Sequence, residues 1–78
     1  MDMVLDQAIL LARRTVKDPF ARTYIDACES AIAFDGKHGL AVQLMYFLSN
    51  AKYWRTEGAA EAKRVMKDYI EKVEGYKL

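Results

Sequence analysis

The segment FDGKHGL at 34–40 contains the only histidine of the chain. His38 lies three residues after Asp35, so an imidazole and a carboxylate are close in sequence, as they are in general-base and metal sites. A protein metal site takes three or four ligands, and general-base catalysis also needs a substrate pocket. No further His, Cys, Asp or Glu residues cluster at ligand spacing. We therefore predict no catalytic residue, metal or cofactor here, and a protein that is not an enzyme.

The two glycines of this segment have a simpler interpretation as helix ends. Gly36 follows Phe34 and Asp35, at the position where a left-handed residue commonly ends a helix. Gly39 directly precedes an apolar stretch that begins at Leu40. The segment 35–39 is thus predicted to be a connector between two helices.

Cys28 is the only cysteine, so no disulfide can form within the chain. One cysteine and one histidine also fall short of the four ligands of a structural zinc site. A reactive thiolate needs exposure and nearby positive charge. Cys28 falls on the apolar side of a predicted helix, so we interpret it as a small buried side chain.

Size and charge limit the classes of function. A chain of 78 residues makes one domain and buries only about 60% of its unfolded surface. Twelve basic and eleven acidic residues nearly cancel, which argues against strongly electrostatic binding of nucleic acid. The longest apolar run, LMYFL at 44–48, is too short to span a membrane. The start, MDMVLDQAILLARR, places acid before arginine, the reverse of an export signal, so we expect a cytoplasmic protein without a membrane partner.

Apolar residues recur at helical spacing, and no segment alternates with a period of two. Asp18 can cap a helix whose first residue is Pro19, and Gly75 suits the end of the last helix. Short connections favour antiparallel neighbours. The sequence therefore predicts an all-α fold, a small four-helix bundle made of two antiparallel helical hairpins. The predicted helices cover about 2–17, 19–34, 40–55 and 59–74, with a loose tail at 76–78.

The two middle helices differ in their apolar surface. The second helix has one broad apolar face that includes Phe20 and Ile32. Between Leu40 and Trp54 the only polar residues are Gln43, Ser49, Asn50 and Lys52, and none is acidic. A helix that is apolar nearly all round is typical of a buried position, or of one that a partner helps to cover.

This surplus of apolar residues predicts a non-catalytic protein–protein interaction module: a small adaptor, regulator or inhibitor. Met3 and Leu10 also fall on the polar side of the first helix, where arginines surround them. A second copy of the chain would cover such a surface, so we expect self-association, with a homodimer as the simplest form. The predicted partner-binding residues are Met3, Leu10, Arg13, Arg14, Tyr46, Tyr53, Trp54 and Arg55.

The run KYWR at 52–55 supports an alternative hypothesis. Aromatic rings next to basic side chains are typical of proteins that bind single-stranded nucleic acid. The last predicted helix adds bases nearby, although acids on the same helix weaken their field. The alternative is a small nucleic-acid-binding regulator that uses Lys52, Arg55, Lys63, Arg64 and Lys67.

Overall fold

Four α-helices follow one another in the computed structural model, which describes residues 3–75. No strand occurs in this part of the chain, so the all-α prediction is confirmed. The radius of gyration is 11.3 Å, close to the roughly 11 Å expected for a compact chain of this length. The predicted tail at 76–78 lies outside the described residues. The helices are α1 (Leu5–Thr15), α2 (Pro19–Asp26), α3 (Cys28–Asn50) and α4 (Ala59–Glu74).

The junction between α1 and α2 forms as the sequence predicts, although α1 is shorter than 2–17. Asp18 Oδ1 accepts hydrogen bonds from the backbone N–H groups of Phe20 and Ala21, at 2.9 and 3.0 Å. Pro19 is the first residue of α2. Because the residue before a proline avoids the helical conformation, Asp18 is extended, with ψ of 125°. Val16 is extended too, with ψ of 131°, so α1 ends at Thr15.

The predicted second helix, 19–34, is in fact divided between α2 and α3. Ala27 separates them, with φ of −81° and ψ of −4°. Its N–H still bonds to the Thr23 carbonyl, at 3.2 Å, so the chain bends without a loop. As a result, Phe20 and Ile32 do not share one buried face: they are 68% and 45% exposed.

The predicted connector at 35–39 is a kink inside α3. Only Asp35 and Gly36 leave the helical conformation. Gly36 has φ of 58° and ψ of −144°, a backbone region essentially restricted to glycine and different from the left-handed cap that we predicted. Gly39 is helical, and a Cβ atom added to it would overlap the Ala31 carbonyl oxygen. The two arms of α3 therefore cross closely at Ala31 and Gly39, which requires a residue without a side chain.

The predicted third helix extends to Arg55, but α3 ends at Asn50. Near its end, the Ser49 hydroxyl donates to the Met45 carbonyl and the Asn50 amide donates to the Tyr46 carbonyl, at 3.0 and 2.9 Å. Such side-chain bonds compete with the helical pattern. Turns follow at 51–58.

The predicted span of α4 is confirmed at 59–74. Gly58 precedes it with a left-handed φ of 85°. The predicted C-cap is also confirmed, because Gly75 has φ of 76° and its N–H bonds to the Glu71 carbonyl at 2.8 Å.

The core lies where α3 packs against α2 and α4, while α1 packs against α4 and α2. From α1 the core receives the completely buried Ala8 and Ala12, whose small side chains permit a close approach. The largest fully buried side chains are Ile25, Leu44, Phe47, Met66 and Ile70.

The close contact at Gly39 predicts that replacing this glycine with alanine lowers the stability of the protein, although the same replacement normally stabilises a helix. Glycine to alanine inside a helix normally stabilises by about 1 kcal/mol. Gly39→Ala is expected instead to lower the free energy of unfolding by about 1–3 kcal/mol, because the new methyl group meets the Ala31 carbonyl. Urea denaturation followed by circular dichroism measures this. Gly36→Ala is the comparison, since it adds backbone strain but no clash. A more stable Gly39→Ala variant would contradict the close crossing.

Candidate functional site

His38 is a bridge between two helices. Its Nδ1 lies 2.7 Å from Glu74 Oε1, near the end of α4, and its Nε2 lies 4.0 Å from Asp35 Oδ2. The imidazole side chain is 59% exposed, whereas the Glu74 side chain is only 15% exposed. Among residues 3–75, no group of three His, Cys, Asp or Glu side chains is placed to hold a metal ion. The geometry thus links the second arm of α3 to α4.

Cys28 is buried, as predicted, with 4% of its surface exposed. Burial raises the pKa of the thiol to about 11, and the positive charge of Arg13 only partly offsets this. Its Sγ donates to the Tyr24 carbonyl at 3.6 Å. At neutral pH the group is therefore a protonated thiol inside the core, without the thiolate that nucleophilic chemistry requires.

Trp54 was predicted to be a partner-binding residue, but it lies in the core and is only 6% exposed. Its indole Nε1–H donates to the Thr15 hydroxyl at 2.8 Å, and its ring meets Phe47 edge-on at 5.5 Å. The side chain therefore joins the 51–58 turns to the end of α1. A partner cannot reach it without opening this packing.

The hydrogen bond between Trp54 and Thr15 is testable. Thr15→Val keeps the side-chain shape but removes the acceptor, so a largely buried indole N–H loses its partner. We expect the free energy of unfolding to fall by about 1–2 kcal/mol. Thr15→Ser retains the hydroxyl and is the matched control, expected to lose less. Urea unfolding followed by the fluorescence of the single tryptophan gives the comparison, and equal stability of Thr15→Val and the wild type would contradict the bond.

The α1 surface brings together four of the predicted partner-binding residues. It consists of Met3, Leu10, Arg13 and Arg14. Leu10 is 46% exposed and lies on a ridge between two grooves. Met3 and Arg14 line one of them, the α1–α4 groove, which has a volume of about 430 Å³. Arg13 lines the other, and Leu10 borders both.

The groove that Arg13 lines lies between α1 and α3, and we call it the α1–α3 groove. It has a volume of about 390 Å³. Its walls carry apolar side chains from both helices, including Leu10 and Ile32, which stay about half exposed. Charged side chains of both signs border it: Asp6 and Arg13 on α1, and Glu29 on α3. The groove thus combines an apolar centre with a charged edge, the usual composition of a protein interface.

Arg13 already has one partner within the chain. Its Nε lies 3.8 Å from Asp26 Oδ1, and the two side chains are 47% and 52% exposed. A long pair in water at this exposure contributes about 0–1 kcal/mol. Arg13 can therefore exchange this contact for a better one at little cost.

An aromatic surface is formed by Phe20, Tyr24 and Tyr46. The Tyr24 and Tyr46 rings lie 5.4 Å apart, and Phe20 is one helical turn before Tyr24. Tyr53 is 81% exposed and lines a groove with Asp18, beside the start of α2. Tyr46 and Tyr53 were predicted as binding residues, but Phe20 was not, since it was assigned to a buried face.

Three of the five predicted nucleic-acid-binding residues lie close together. Burial lowers the pKa of Lys63, and the positive charges of Arg55 and Lys67 lower it further. Lys63 Nζ is 5.9 Å from the centre of the Trp54 ring. We call Arg55, Lys63 and Lys67 the basic cluster. Lys52 contacts a different aromatic ring, with its Nζ 5.7 Å from the centre of the Tyr53 ring. The remaining one, Arg64, is exposed on α4.

Within residues 3–75, no helix is long and apolar enough to cross a membrane. Comparisons of the chain with protein-family models, curated proteins and solved structures found no match.

Proposed function

We propose that this protein is a non-catalytic protein–protein interaction module that associates with itself. The observation that carries the proposal is the α1–α3 groove, where Leu10 and Ile32 remain 46% and 45% exposed between charged side chains of both signs. Apolar side chains gathered in a groove and bordered by charge are typical of interaction sites. The aromatic surface provides a second set of apolar contacts for a protein partner.

The helices form the scaffold for these surfaces. Our proposal retains the arrangement of two antiparallel hairpins, supported by the packing of α1 on α2 and of α3 on α4. Although α1 packs against both α4 and α2, its Leu10 side chain stays 46% exposed and is available to a partner.

The size of the exposed apolar area favours weak, reversible association. Burying a whole Leu or Ile side chain stabilises by about 1.5–3 kcal/mol, so burying the exposed halves of Leu10 and Ile32 on two chains contributes about 3–6 kcal/mol. The loss of translational and rotational freedom costs about 4 kcal/mol or more. Contacts elsewhere in the interface must supply several more kcal/mol, and a dissociation constant in the high micromolar range or weaker is expected.

Sedimentation velocity tests self-association. Protein concentrations of about 10–500 μM cover the range over which a weak dimer forms. The wild type is expected to shift reversibly from monomer toward dimer. Leu10→Ser is expected to weaken this shift because it removes an apolar contact from the groove. Phe34→Ser is the matched control, since Phe34 is 95% exposed and lies outside the groove lining. A monomeric wild type throughout, or an equal loss in both variants, would contradict the proposal.

The basic cluster supports a second candidate function, the binding of single-stranded nucleic acid. Its specific support is that the positive charges of Arg55 and Lys67 both lower the pKa of Lys63, as expected for three cations that lie near one another. The exposed ring of Tyr53 offers a stacking surface nearby in sequence. The burial of Trp54 weakens this candidate, because a side chain that is only 6% exposed offers little ring surface on which a base could stack.

Salt dependence distinguishes the two functions. If three phosphates contact the basic cluster, the logarithm of the binding constant for a labelled oligothymidine should fall with the logarithm of salt concentration, with a slope of about −2. Fluorescence anisotropy measures it. Lys63→Ala should reduce the slope, while Lys72→Ala, outside the cluster, should not. Absence of binding at low salt would eliminate the nucleic-acid candidate.

A further inference from the structure

One strip of α1 consists of Asp6, Ile9, Leu10 and Arg13, and we call it the α1 strip. It carries opposite charges at its two ends. Asp6 and Arg13 are seven residues apart, nearly two helical turns, so they share one side of the helix. Both are exposed and both border the α1–α3 groove. Ile9 and Leu10 lie between them, and the midpoint of the strip falls between these two apolar residues.

This arrangement is complementary to itself. When two copies of such a strip meet in antiparallel orientation, each acid faces the base of the other copy, and the apolar centres coincide. A two-fold interface requires this property, because the same surface is present on both sides. A parallel pairing would instead place acid opposite acid and base opposite base.

We propose that the α1 strip is the dimer interface, in which α1 packs antiparallel against α1 of a second copy across a two-fold axis near Leu10. Asp6 of each copy pairs with Arg13 of the other, and Ile32 borders the buried centre. This inference rests on the proposed self-association and specifies its surface, its orientation and its partner.

The distances of ordinary helix packing suit this pairing. Seven residues span about 10.5 Å along a helix, and packed helix axes lie about 8–10 Å apart. An arginine side chain is long enough to reach a carboxylate at the facing end. The two ion pairs then lie at the edges, with the apolar contacts between them.

The groups around the groove favour a second copy over a foreign charged peptide. Glu29 on the opposite wall makes the described lining two acids and one base, so an acidic peptide would meet repulsion. A basic peptide would satisfy Asp6 and Glu29 but would be repelled by Arg13. The antiparallel second copy satisfies Asp6 and Arg13 together. Arg13 gives up only its long, exposed contact with Asp26.

A charge exchange tests the interface. Asp6→Arg gives a strip with two bases, and Arg13→Asp gives a strip with two acids. Each variant alone is expected to dimerise about tenfold more weakly than the wild type, because two attractive pairs become two repulsive ones. An equimolar mixture is expected to recover wild-type affinity, since every base then faces an acid. Sedimentation velocity on each variant and on the mixture provides the measurement.

Asp26→Asn is the matched control for the contact within the chain. It removes the present partner of Arg13 without altering the strip, so dimerisation is expected to be equal to the wild type or stronger. Weaker dimerisation of this variant would count against the assignment of Arg13. Circular dichroism checks that each charge-exchange variant is folded. Should either fail to fold, Asp6→Asn and Arg13→Gln remove the attraction without repulsion, and each is expected to weaken dimerisation about twofold to threefold.

The outcomes separate this inference from the function on which it rests. If the wild type dimerises and Leu10→Ser weakens the dimer, but the charge-exchange mixture does not recover, the antiparallel arrangement is overturned while self-association stands. If both single variants dimerise like the wild type, another surface forms the dimer. If the wild type is monomeric throughout, both proposals are overturned.

Discussion

The crossing of the two arms of α3 at Ala31 and Gly39 determines the positions of the candidate surfaces. Gly36 bends the chain in a backbone conformation that side chains disfavour, and Gly39 then lies directly against the Ala31 carbonyl. This crossing places Ile32 on the wall opposite Leu10, and it brings His38 to Glu74 at the end of α4. A wider kink would separate these pairs. The α1–α3 groove and the bridge to α4 therefore depend on the same local geometry.

Much of the fold could be predicted because the relevant signals are local. Asp18 caps the first turn of α2, which begins at Pro19. Gly75 ends α4 through one backbone hydrogen bond to Glu71. Helical periodicity likewise predicts the span of α4. The bend at Ala27 and the kink at Asp35 and Gly36 could not be predicted in this way, since the first has no turn residue and the second continues as helix on both sides.

The candidate site was predictable only where it lies on one regular helix. Leu10 was expected to be exposed because it falls on the polar side of α1, and the structure leaves it half exposed. The exposure of Ile32 depends on how two arms of a kinked helix are arranged, which periodicity does not describe. Trp54 shows the opposite case. Its ring packs against Phe47, and its indole N–H donates to Thr15, 39 residues earlier in the chain. No local pattern indicates such distant contacts.

The same apolar side chains bear on both stability and association. A chain this short has a small margin of stability, and each half-exposed Leu10 or Ile32 contributes less than a buried side chain would. Binding to the folded state alone shifts the folding equilibrium toward the native form, so a second copy on the α1 strip would stabilise each chain as its concentration rises. The charges at the ends of the strip then have a distinct role. Exposed ion pairs contribute little to affinity, but they would disfavour a parallel alignment. In the proposed dimer they would therefore set the orientation, while Leu10 and its apolar neighbours would supply the affinity.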